Sequence, residues 1–149
     1  MKTIITSAIC FICLLTVPVS AQDLNVHNYI NKNKSEVTKK YGKPVHQDVS
    51  NPEMICMFYK GSSGSMIFVS DKEGIYQSEA QLSYSSESEA RRALDTFIKN
   101  SVAESFAVDS VTTSDFKVEK PGVKVDLQIY ENKLSKKFEV KVKAHRTTY

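Results

Sequence analysis

Cys56 is the one thiol outside the apolar leader of this chain. With His27, His46 and His145 it makes up the residues whose types could support nucleophilic or metal chemistry. A cysteine nucleophile needs a base within hydrogen-bond reach and a cationic or helix-terminal setting that lowers its pKa. Cys56 instead lies in Met54-Ile55-Cys56-Met57-Phe58-Tyr59, where every neighbour is apolar, and this reads as a small buried hydrophobe. Partners in a Cys–His couple can be distant in sequence, so His46 and His145 keep a small Cys/His-based hydrolase open as an alternative. No two histidines stand four apart and no acid lies at ligand spacing beside one, so no metal site is expected and no cofactor is implied. Ser62-Ser63-Gly64-Ser65 is not a Gly-x-Ser-x-Gly elbow and reads as a hairpin loop. There is no phosphate-cradling glycine loop, and no carboxylate pair stands out among 17 acids. The expectation is therefore that the catalytic residues are none and the chain is not an enzyme.

The first 21 residues explain the other two cysteines. Lys2, an uncharged apolar run from Ile4 to Val19, and Val19-Ser20-Ala21 form the three parts of a secretory signal, with cleavage expected after Ala21. The run is shorter than the roughly 20 residues of a spanning helix. Cys10 and Cys13 each follow a bulky isoleucine inside it, which does not suit lipid attachment. Residues 22–149 are then one exported α+β domain, periplasmic or secreted, with no later transmembrane segment. One remaining thiol permits no intrachain disulfide. Loss of Lys2 leaves 19 basic against 17 acidic side chains, too balanced for nucleic-acid binding.

The elements that must position any site follow from patterning. Leu24–Ile30 is short helical or irregular chain. Asn33 opens a helix over 34–41, closed by Gly42 and kept from restarting by Pro44. Three antiparallel strands follow at 54–60, 65–70 and 75–85, joined by connections too short for a crossover. Ser86 with Glu89 three residues on starts a long helix of about 86–104, with a stripe of Ala90, Leu94, Phe97, Ile98 and Val102. The last third alternates strictly: Val123, Val125, Leu127 and Ile129 against Lys124, Asp126, Gln128 and Tyr130, then Phe138, Val140, Val142 and Ala144 against Glu139, Lys141, Lys143 and His145. The fold expected is α+β: an antiparallel sheet of about five to six strands with the short and the long helix packed on one face. Helix-then-strands occurs twice, a hint of internal duplication, although the halves share no obvious residues.

Lys34-Ser35-Glu36-Val37-Thr38-Lys39-Lys40-Tyr41-Gly42-Lys43-Pro44, after an export signal, resembles the helix-Gly-x-Pro turn of the SmpA/OmlA (BamE) outer-membrane assembly lipoproteins and of the β-lactamase inhibitor protein fold. The resemblance covers about a dozen positions and the strand order to about Ser85. It implies a module that binds other proteins and has no catalytic residues. The chain departs from it in lacking a lipid-attachment cysteine and in having the Ser86 helix with a second ribbon. Alternation leaves one sheet face wet, and Lys124, Gln128, Tyr130, Lys141, Lys143 and His145 would share it. The reading is a non-catalytic module binding another envelope or secreted protein through that face. A lipid or small-molecule binder, with a cavity near Tyr84, Leu94 and Phe97, is a further alternative.

Overall fold

The computed structural model describes residues 23–148, so the signal segment lies outside the described residues. The described residues open with a 3₁₀ turn, Asn25–Tyr29, followed by helix α1 (Lys34–Tyr41). A four-stranded meander follows: β1 (His46–Asn51), β2 (Met54–Lys60), β3 (Gly64–Asp71) and β4 (Gly74–Tyr84). Helix α2 (Glu87–Ala103) opens a second meander of β5 (Ala107–Ser110), β6 (Asp115–Lys120), β7 (Val123–Asn132) and β8 (Lys137–Arg146).

The eight strands make one antiparallel sheet in the order β1-β2-β3-β4-β8-β7-β6-β5. The sheet is larger than the five to six strands expected. The two strands missed are its edges. All six residues of β1 are exposed, so burial imposes no alternation on them, and β5 has four residues. The palindromic order sets two helix-plus-meander halves back to back. Their equivalent last strands, β4 and β8, pair antiparallel at the centre, from Gln77 opposite His145 to Tyr84 opposite Phe138. That pairing relates the halves by a pseudo-two-fold axis.

Different side chains fill the two halves. Under the first, the Tyr29 and Tyr41 rings lie 5.7 Å from Phe68 and the Tyr59 ring lies 5.9 Å from it. Under the second, Leu94 and Phe97 of α2 cover an aliphatic floor of Val118, Val125, Leu127, Val140 and Val142. Equivalent backbone with aromatic filling on one side and aliphatic on the other explains why no residue repeat is legible.

Local signals place the elements. The Ser86 side chain accepts from the Glu89 N–H at 3.3 Å, and the Glu89 carboxylate accepts from the Ser85 N–H at 3.1 Å, a reciprocal cap. Asn33 makes no such side-chain bond. Its carbonyl accepts from the Glu36 N–H at 3.0 Å instead. Ser78 lies among apolar neighbours on the inner face of β4, fully buried, and its hydroxyl donates to the Val26 carbonyl at 2.9 Å. Gly74 has φ +122°, and a Cβ there would stand 2.8 Å from the Lys32 carbonyl. The glycine thus lets the segment before α1 pair with β4 through two 2.8 Å bonds, Asn31 N–H to Ile75 O and Ile75 N–H to Lys32 O. Helices and 3₁₀ turn all lie on one side, as expected, and among the described residues no element covers the other face.

Candidate binding surface

Cross-strand register decides what the open face carries. Lys124 lies opposite His145, Asp126 opposite Lys143, Gln128 opposite Lys141 and Tyr130 opposite Glu139. All six residues expected on this face are therefore brought together on β7 and β8. Strand β4 adds Gln77, Glu79 and Gln81 opposite His145, Lys143 and Lys141.

These groups are bonded mainly to one another. Glu79 faces Lys143 at 3.6 Å and Lys141 at 3.9 Å, and accepts from Gln77 at 3.2 Å. Gln128 donates to Asp115 at 2.7 Å, Lys117 pairs with Asp126, and Lys124 lies 3.8 Å from Glu119. These pairs are exposed or partly exposed, and such surface contacts contribute little to stability. Their effect is to fix the positions of long side chains that would otherwise sample many rotamers.

Glu139 is the residue sequence reasoning missed. It is 5 % exposed although it points to the wet side. Its carboxylate accepts from Tyr130 Oη at 2.7 Å, Gln81 Nε2 at 2.7 Å and Asn132 Nδ2 at 2.9 Å. Burial works to raise its pKa, but these bonds outweigh it and hold the carboxyl below the usual range. Reciprocally, burial and then the bond to Glu139 push the Tyr130 phenol up to about 12. Tyr130 keeps 39 % of its surface exposed, so a neutral, hydrogen-bonded ring stands anchored in the middle of the polar half.

The other half of the face is apolar. Phe58 and Ile67 are opposite each other, as are Cys56 and Val69, and all four project outward from β2 and β3. The signal was present in the sequence: Met54–Tyr59 and Met66–Val69 do not alternate, which is the pattern of a strand covered on both sides.

The register also judges the catalytic alternative. Cys56, Val69, Gln77 and His145 form one row across β2, β3, β4 and β8. Three strand spacings separate the thiol from that imidazole by about 14 Å. His46 is a diagonal neighbour of Cys56, but its ring lies against Phe58, centroids 5.5 Å apart. Burial, then the Asp48 carboxylate directly opposite, push the Cys56 thiol up, away from the thiolate a nucleophile needs. His27 lies in the interior, with Phe97 at 4.7 Å and Phe106 at 5.1 Å. Among the described residues no group of three or more His, Cys, Asp or Glu could hold a metal ion.

Leu94 and Phe97 are buried under α2. The space beside Tyr84 and Phe97 is an open groove of about 340 Å³, lined by Leu24, Leu82 and Ala93 as well as by Asp23, Arg92 and Asn100. Among the described residues no helix is long and apolar enough to cross a membrane. Comparison of the chain with family models, with curated proteins and with solved structures found no match in any of the three.

Proposed function

We propose that this chain is an exported, non-catalytic module that binds another envelope or secreted protein through the open face of its sheet. The observation that carries the proposal is that this face is uncovered yet organised, with a fixed polar half around Tyr130 and Glu139 beside an apolar half around Phe58 and Ile67.

Size supports it. Eight strands about 4.8 Å apart span about 34 Å, and the ten residues of β7 rise about 33 Å. The face therefore exceeds the about 800 Å² per partner of a standard interface. Preorganisation supports it too, because side chains already held by cross-strand bonds lose little freedom when a partner lands. Tyrosine with an apolar neighbourhood is the kind of anchor that dominates such contacts.

Export rests on the sequence: Lys2, the uncharged apolar run from Ile4 to Val19 and Val19-Ser20-Ala21 have the three parts of a secretory signal. The resemblance of Lys34–Pro44 to protein-binding envelope modules points the same way.

The test is capture from the native exported fraction by the chain from residue 22, repeated with Lys124→Glu and Gln128→Arg. Loss of a discrete partner with circular dichroism unchanged is expected. Equal capture by the variants removes the face from the account.

A further inference from the structure

The edge strand β1 forms a second surface, and we propose that it takes an extended, acidic peptide segment as a ninth strand. Four observations meet there. First, among the described residues β1 pairs only with β2, so every second N–H and C=O from His46 to Asp48 points away from the sheet. An edge of this kind recognises an extended backbone and nothing else with the same economy. Second, β1 lacks two of the usual protections: there is no lysine within it and, among the described residues, no covering element. Its pairing irregularity lies beyond Asp48, between Asp48 and Asn51, and leaves the first three residues regular.

Third, a groove of about 490 Å³ runs beside this edge on the helix side, lined by Lys34, Ser35, Thr38 and Lys39 of α1 with Gln47 and Met57. The groove exists because α1 is short. Eight residues reach about 12 Å, whereas the 17 of α2 reach about 26 Å over the equivalent region of the second half. An added strand would direct alternate side chains into it. Val45, two residues before Gln47, is 68 % exposed, which gives the same side an apolar component.

Fourth, the charge is one-signed. Neither Lys34 nor Lys39 takes part in an ion pair among the described residues, and no acid lines the groove. Side chains entering from an added strand are therefore acidic, interleaved with apolar ones. A second copy of this chain suits the edge poorly. Pairing β1 with its own copy in a continuous sheet puts both α1 helices on the same side and brings four unpaired lysines together.

The probe is a fluorescein-labelled ten-residue peptide alternating Val and Glu, titrated by anisotropy against the chain from residue 22, which contains every described residue. Its controls are the same peptide with Lys for Glu and the same peptide N-methylated at alternate amides. The Glu peptide is expected to bind and to protect the amides of His46–Asp48 from hydrogen exchange. Lys34→Ala with Lys39→Ala weakens it about fivefold, the effect of two exposed ion pairs. Lys34→Glu with Lys39→Glu, both at exposed positions of α1, reverses the preference to the Lys peptide. Equal binding of the N-methylated peptide, an unreversed preference, protection outside β1, or a β1-dependent dimer in sedimentation each overturns the proposal.

Discussion

Replacing His27 by leucine should remove most of the mild-acid sensitivity of the fold. The imidazole is 2 % exposed, held between Phe97 and Phe106, and neither ring nitrogen has a hydrogen-bond partner. Burial, and then the positive charge of Lys120, lower its pKa from 6.5 to about 4. Glu104 Oε2 lies 3.9 Å away, too far for a hydrogen bond, and that side chain is 42 % exposed, so water screens its attraction. The sign follows from linkage. The unfolded chain takes up the proton first, near pH 6.5, while the folded chain resists it to about 4, so stability falls as pH drops through that window. With 1.36 kcal/mol per unit, the loss between pH 7 and 4.5 is about 2 kcal/mol. Urea titrations at the two pH values measure it, as a wild-type midpoint that falls by about 1–2 M more than that of His27→Leu. At pH 7 the variant is expected to be no less stable, since it removes two unsatisfied polar atoms from the interior. Parallel losses in both proteins would refute the reasoning, because carboxylates shared by both would then carry the whole effect.

Glu139→Ala should cost about 2 kcal/mol and Tyr130→Phe about 1 kcal/mol in the same assay, from the loss of charge-assisted bonds. Because the folded carboxyl is held low, its contribution is present above the unfolded pKa and is lost as pH falls through the folded one. Tyr130→Phe, with that bond gone, should lose less stability than wild type on acidification through the same range. Ser86→Ala should cost about 1 kcal/mol through the α2 cap, read from thermal unfolding. Iodoacetamide at neutral pH should modify Cys56 slowly in the native protein and fast in denaturant, since the folded thiol is pushed up. Fast native alkylation would reopen the nucleophile reading.

Alternation and capping made the central half of the molecule legible. Val123 to Ile129 and Val140 to Ala144 each expose every second residue, so register followed from burial, and all six candidate binding residues fell on one face as expected. The edges were illegible for the complementary reason. An exposed strand such as His46–Asn51 has no buried side to impose a period, and its strand identity comes only from pairing with β2. Glu139 was legible as an outward residue but not as a buried one, because its burial depends on Gln81 and Asn132, 58 and 7 residues away in sequence. The apolar half of the open face was visible as unbroken hydrophobic runs in β2 and β3. The internal two-fold became clear only from strand order, since Phe68 with its three tyrosines and the valine floor of the second half solve one packing problem with different residues.

The binding face is tested most directly by placing a photocrosslinking residue at Gln128, at Lys124 or, as a control on the helix side, at exposed Lys99. The chain is then irradiated in its native exported setting. The account predicts one discrete adduct from both sheet positions and none from Lys99. Adducts from Lys99 alone, or equally from all three, would contradict it.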